Sequence, residues 1–472
     1  MTHYFDAVVI GAGAAGLFCA AIAGQRGLKV LVIDHSEKVA EKIRISGGGR
    51  CNFTNRDVTP VNFLSDNPHF CRSALAGYTP QDFIALLQKH GVPFHEKHKG
   101  QLFCDRSAED IINLLLAECA AGHVERWQPC SVKKVTDLGI KSDLNPINTG
   151  ASSYQIDTDR GLIETPHLVI ATGGLSIPKI GATDFGYRIA QQFGLRMVEP
   201  RAALVPLTFD GDAWLPFAQL AGLALPVQIE TGSRDATPKQ RKKATVFAED
   251  LLFTHKGLSG PAVLQISSFW LTGQSLRINL APGQDLSHAL LKAKASSKKL
   301  IANELASVVP SRLADAWAST DAALQRPICD ATDKALLSLA ERLADWQITP
   351  NGSEGYKKAE VTAGGIDLRG PEVVPTTQRV LAQIEPSTSS FAAFDADMAD
   401  GLVLLVVVTG SHHSTTWRAS QAISDPTITR VLVTTNEPAT GTRLAVHARS
   451  DDDFVAAWQS LVDRPAATAA QP

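Results

Sequence analysis

Gly11, Gly13 and Gly16 stand at Gly-x-Gly-x-x-Gly spacing, and Asp34 closes the next apolar run. Such glycines hold phosphate. Gly11 permits a tight strand-to-helix turn, Gly13 lets the backbone approach a pyrophosphate, and Gly16 lets the helix pack close to the strand. Ala14 and Ala15 complete the loop. The helix start behind them offers free N–H groups and a partial positive charge. Asp34 is placed to accept hydrogen bonds from an adenosine ribose. The expected chemistry is the binding of a dinucleotide.

A second stretch, Glu41 to Asn55, carries Lys42, Ser46, Gly47, Gly48, Gly49, Arg50, Cys51 and Asn52. Its glycines suit a loop wrapped around a polar ligand, and its arginines, Arg44 included, suit phosphate charge. A flexible linker is the alternative. Thr172, Gly173 and Gly174 follow an apolar run and fit close backbone approach to the same ligand. Gly364 and Gly365 form a further glycine turn after a short strand.

The elements that must position these residues follow from periodicity. Ala7 to Ile10 and Val30 to Ile33 are short apolar runs that read as buried strands, with a helix between them. Residues 81–91 and 108–121 have helical apolar spacing. Residues 92–105 read as a hairpin, 131–165 as strands with turn signals at Asn145, Pro146 and Asn148, and 167–171 as another parallel strand. Residues 1–200 are assigned to a dinucleotide-binding domain, 201–285 to a β-rich insertion and 286–345 to a small helical domain. Residues 346–369 return to the first domain, and 370–472 form a divergent tail whose last eight residues read as disordered.

Composition excludes several classes. The formal charge is −3, so nothing drives the whole chain onto nucleic acid or membrane. Seven cysteines with no Cys-x-x-Cys argue against a disulfide framework and a zinc site, and fit a reducing cytoplasm. His95 and His98 flank Glu96 without further ligands at metal spacing, so no metal is expected. No secretory leader is read at the start, and no apolar run approaches the length of a membrane span. Leu402 to Val408 is strand-sized.

The motifs together resemble the BaiN/RdsA-type flavoproteins. The matching stretches are Ile10 to Gly16, Ser46 to Asn55, Gly100 to Asp105, Ala171 to Gly174, Leu252 to Ser268 and Ala359 to Asp367, within roughly residues 4–369. The resemblance implies a Rossmann-like α/β FAD-binding domain interrupted by a β-barrel-like insertion and a small helical domain. It implies FAD, with Gly11 to Gly16 on the pyrophosphate, Asp34 on the ribose, Ser46 to Cys51 near the isoalloxazine, and Thr172 and Gly173 on the adenosine side. The closing motif of the family type, Gly-Gly-Tyr-Asn-x-Gln-Trp-Ala, is absent from the last hundred residues.

The implied activity is an FAD-dependent oxidoreductase whose flavin is reduced by NAD(P)H, although no second Gly-x-Gly-x-x-Gly marks a nicotinamide site. One branch of the family reduces uridine of ribosomal RNA to dihydrouridine, and Gly100 to Asp105 and Leu252 to Pro261 look more like that branch. Reduction of a uracil C5–C6 bond needs a hydride on one carbon and a proton on the other. Cys104 is the first candidate acid and Cys51 the second, each with inert packing as the alternative. His255 is a candidate for substrate binding or for orienting the acid, against a structural histidine. Arg234, Lys239, Arg241, Lys242 and Lys243 form a basic run that fits RNA phosphates or a solvated hairpin tip. Two other readings stand: a small-molecule amine or enone oxidoreductase, and a flavin-binding protein that has lost catalysis with its altered tail.

Overall fold

The structure, a computed structural model, describes residues 2–138 apart from 66 and 69, together with 154–232, 237, 244–367 and 403–406. A five-stranded parallel sheet lies at its centre, in the order Val403–Val406, His167–Ile170, Ala7–Ile10, Val30–Ile33 and Glu125–Trp127. The Ala7, Val30 and His167 strands are buried at every residue. Their near-continuous apolar character suits a sheet covered on both faces.

On one face lie the helices Ala14–Gln25 and Glu109–Ala121. Small residues let them touch: a Cβ on Gly24 would lie 2.3 Å from the carbonyl oxygen of Gly122. Leu17 and Leu115 are fully buried in this layer, each burial stabilising by roughly 2 kcal/mol. The expected helix near 81–91 is Pro80–Lys89, opened by a Thr79 and Asp82 capping box. The other face is covered by a four-stranded sheet (Thr2–Tyr4, Gly161–Thr165, Tyr154–Thr158, Val132–Asp137) and by the helix Phe185–Gln192. The turn signals at Asn145, Pro146 and Asn148 lie outside the described residues.

The chain leaves this domain along Met197–Ala203 and returns along Val361–Ile366, and the two strands pair antiparallel. Between them, seven antiparallel strands run in the order Trp346–Ile348, Leu276–Asn279, Ala224–Thr231, Val246–Phe253, Gly257–Ser259, Leu207–Thr208 and Gly352–Ser353. The helices between Leu286 and Ala344 pack on this sheet. Trp214, Phe253 and Ile278 share one core with Leu313, Trp317 and Leu336. The β-rich and helical stretches are therefore one packed unit. The strands Trp346–Ile348 and Gly352–Ser353 complete its sheet, although they follow the helices in sequence. The β-rich stretch also holds two helices, Gly211–Ala218 and Pro261–Ser267.

Gly364 and Gly365 lie inside the returning strand and not in a turn after it. The register shifts opposite them, between Val198 and Arg201. Gly364 has φ +84°, and a Cβ there would lie 2.3 Å from the carbonyl oxygen of Glu199. Glycine serves the bulge, where the opposing backbone comes close.

Among the described residues, no helix is long and apolar enough to cross a membrane. Arg234, Lys239, Arg241, Lys242 and Lys243 lie outside the described residues, as does the tail apart from 403–406.

Candidate functional site

A cleft of about 450 Å³ opens beyond the carboxyl ends of the central strands, where parallel α/β sheets bind ligands. Gly11 turns the chain there with φ +113°, and its N–H donates to Ile33 at 2.7 Å. A Cβ on Gly16 would sit 1.8 Å from the carbonyl oxygen of Gly11, so this glycine lets the helix close on the turn. Nothing lies within 4 Å of a Cβ built on Gly13. The helix Ala14–Gln25 starts with no side-chain cap and no acid in its first turn. Its free N–H groups and open approach are the features an anion would need there.

Asp34 braces that turn. One carboxylate oxygen accepts from the N–H of Ala12 at 2.7 Å, and the other from the N–H of Ser36 at 2.8 Å. Each oxygen keeps a lone pair for a ligand hydroxyl. Across the cleft stand Thr172, Gly173 and Gly174. The hydroxyl of Thr172 is buried without a hydrogen-bond partner, and such a group is rarely left so without a ligand or water.

Lys42 enters the cleft from the short helix Glu41–Ile45. Its ammonium donates to the hydroxyl of Ser176, which in turn donates to the carbonyl of Glu360 at 3.3 Å. Burial lowers the Lys42 pKa from 10.5 to about 8, with the Glu360 carboxylate opposing the shift. Burial raises the Glu360 carboxyl, and Lys42 opposes that. The returning chain supplies Glu360 and also Thr362, whose hydroxyl accepts from the N–H of Leu175 at 2.9 Å. The insertion thus closes back onto the loop that follows Gly174.

Of the residues expected to bind a cofactor, Gly11, Gly13, Ala14, Ala15, Asp34, Lys42, Ser46, Thr172, Gly173 and Gly174 line the cleft. Gly16 stands behind it. Gly47, Gly48, Gly49, Arg50, Cys51 and Asn52 carry the chain away from it. Gly47 and Gly48 adopt left-handed backbone, and a Cβ on Gly47 would fall 2.7 Å from the N of Asn52 and 2.8 Å from the Phe103 ring. Gly364 and Gly365 are in the strand bulge, outside the lining. Arg44 is engaged by Glu41 and Glu109, which removes it from phosphate duty.

The candidate acids are not in the cleft. The side chains of Cys51 and Cys104 have 0% exposure and pack in the core behind the glycine turn. Burial raises their thiols to about 11 and about 12. His255 is exposed on the turn between Phe253 and Gly257 and lines a separate hollow with Trp214 and Lys256. The sequence reading missed Ser36, Cys130, Ser176, Thr183 and Arg188, which line the cleft. The one available signal was Thr183-Asp184 before the helix Phe185–Gln192, a helix-start pattern.

Residues 5–378 match the family described as HI0933-like protein Rossmann domain. The chain belongs to that family and, with it, to the FAD-dependent oxidoreductases. It is 46% identical over 367 residues to the "Ribosomal RNA dihydrouridine synthase" of Escherichia coli (strain K12), covering 77% of this chain and 86% of the relative. A protein of the same name from Haemophilus influenzae is 40% identical over 375 residues, covering 78% and 88%. The "3-dehydro-bile acid delta(4,6)-reductase" of Clostridium scindens is 24% identical over 385 residues, again covering 78% and 88%. The resemblance seen in the motifs therefore holds. The cleft fits FAD: an uncapped helix start faces open space at Gly13, Asp34 keeps acceptor capacity, and the Thr172 hydroxyl lacks a partner.

Proposed function

We propose that this chain reduces a uridine of ribosomal RNA to dihydrouridine in the cytoplasm, with FAD bound in the cleft and NAD(P)H as electron donor. One observation carries the reading: the cleft is intact in a chain 46% identical over 367 residues to a ribosomal RNA dihydrouridine synthase. When bound, FAD supplies the hydride for one carbon of the C5–C6 bond.

The chain's own residues do the rest. Gly13 and the helix start behind it hold the pyrophosphate, Asp34 takes the ribose hydroxyls, and the Thr172 hydroxyl gains the partner it lacks. Lys42 holds a transferable proton on Nζ at neutral pH, because its pKa of about 8 keeps it largely protonated. Cys104 and Cys51 also keep their protons, but both are buried outside the cleft lining. Lys42 is therefore the proposed acid. Ser176 positions it, and Glu360 supplies the counter-charge.

The test is to incubate the purified protein with FAD, NADH or NADPH, and ribosomal RNA lacking dihydrouridine, then digest the RNA and analyse its nucleosides by mass spectrometry. Dihydrouridine at a defined position is expected. Its absence, with flavin bound and reducible, overturns the RNA reading. The likeness to a bile acid reductase favours a second reading, reduction of a small enone. NAD(P)H consumption with an enone and not with RNA selects it. No turnover of either substrate leaves a flavin-binding protein without catalysis, a reading favoured by the missing closing motif.

A further inference from the structure

We propose that the face built by the strand Asn52–Asn55 and the hairpin Phe94–Cys104 docks the RNA strand, with Arg50 and Lys97 on its phosphates. This inference rests on the RNA reading above and gives that substrate a surface.

The face is a three-stranded sheet in the order Asn52–Asn55, Gln101–Cys104, Phe94–Glu96. It adjoins the Ser46 end of the cleft, since the Phe103 ring lies against Gly47 and the N–H of Cys104 donates to the carbonyl of Arg50 at 3.0 Å. Its charge runs against that of the chain. Residues 50–56 and 94–106 hold five lysines and arginines against two acids, in a chain of net charge −3.

Most of those cations are already engaged. Arg56 pairs with Glu96 and Arg106 with Asp110. Lys99 pairs with Glu249 and donates to the carbonyl of Ala248 at 2.7 Å, which fastens the hairpin to the insertion. Arg50 and Lys97 are left. Both are exposed, and neither forms an ion pair among the described residues. Lys97 lies 3.9 Å from the centre of the Phe103 ring, and His95 stacks on the same ring while bonding Asp105 at 2.7 Å. A ring contact of this kind orients an ammonium without neutralising it. The result is a basic face held in place before its partner arrives, which lowers the ordering cost of binding.

The occupant that fits is a single-stranded or loop segment of RNA. Chemistry on a base requires that base to leave the stack, and a backbone held beside the cleft mouth leaves the base free to do so.

The test uses the full chain with flavin bound and a labelled, uridine-containing single-stranded RNA, followed by fluorescence anisotropy over a series of salt concentrations. Each phosphate contact on a single strand contributes about 0.7 to the slope of log affinity against log salt. Arg50→Ala/Lys97→Ala is expected to lower that slope by about 1.4 and to weaken binding alike for different RNA sequences. The charge-preserving Arg50→Lys/Lys97→Arg keeps the slope, as does Lys292→Ala/Lys298→Ala on the helical part of the insertion. Wild-type binding with an unchanged slope in Arg50→Ala/Lys97→Ala overturns this surface and leaves the RNA reading standing. Equal loss in the Lys292/Lys298 pair, or loss in the charge-preserving variant, also overturns it. No RNA binding by the wild-type protein at low salt overturns both.

Discussion

Lys42→Met separates the cost of building the cleft from its use. A lysine whose pKa falls from 10.5 to about 8 on folding carries about 3 kcal/mol of desolvation cost. The folded pKa lies below the unfolded one, so between about pH 8 and 10.5 the unfolded chain binds more protons. Stability therefore rises with pH across that window, and the cost is fully present below pH 8. Methionine removes the charge and keeps much of the length. It also loses the hydrogen bond to Ser176, worth about 1 kcal/mol. Burial already raises the Glu360 carboxyl, and removing Lys42 takes away the charge that opposes that rise. At pH 7 the flavin-free variant is expected to be more stable than wild type by about 2 kcal/mol, with the gap closing as pH approaches 10. As the proposed acid, Lys42 acts in turnover, so the variant is expected to bind FAD within a few-fold of wild type and to lose turnover. Urea unfolding of flavin-free protein at several pH values, followed by tryptophan fluorescence, measures the first effect, and flavin titration with a turnover assay measures the second. A variant less stable than wild type at pH 7, or a stability gap independent of pH, refutes the picture of a desolvated ammonium in the cleft.

Other outcomes follow from the same geometry. Gly47→Ala is expected to cost about 2–4 kcal/mol, from left-handed strain plus overlap with Asn52 and Phe103, whereas Gly48→Ala, with open space around it, costs only about 1 kcal/mol of strain. Urea midpoints compare the two, and equal losses contradict the contact. Thr172→Val removes a buried hydroxyl without a partner, so it stabilises the flavin-free protein by up to about 1 kcal/mol and weakens FAD. A thiol reagent should titrate one of the seven cysteines quickly in native protein, Cys329, and all seven after denaturation. Rapid reaction of a second thiol contradicts the burial of Cys51 and Cys104.

Much of the cleft was legible because phosphate binding leaves a local signature. Gly11, Gly13, Gly16 and Asp34 belong to one strand–turn–helix–strand unit, and each has a mechanical role that its spacing discloses. Thr172 to Gly174 were legible for the same reason, since they end a neighbouring parallel strand. Ser176 and Glu360 were not, because they meet only where the chain returns from the insertion, and no spacing connects them. The roles of Gly364 and Gly365 were misjudged because a glycine pair in a strand bulge looks like a turn. Cys104 looked reactive beside a glycine loop, but its burial depends on Gly47 and the hairpin folding over it, which composition does not encode. The helical and β-rich stretches looked separate because their periodicities differ, yet their apolar faces pack into one core.

The visible absorption spectrum of the purified protein, taken before and after addition of FAD and desalting, reads directly whether the cleft holds FAD. Flavin bands retained at close to one per chain are expected, because the glycine turn, Asp34 and Thr172 are the surface proposed to hold FAD without the usual closing motif. No retained flavin after reconstitution contradicts that proposal.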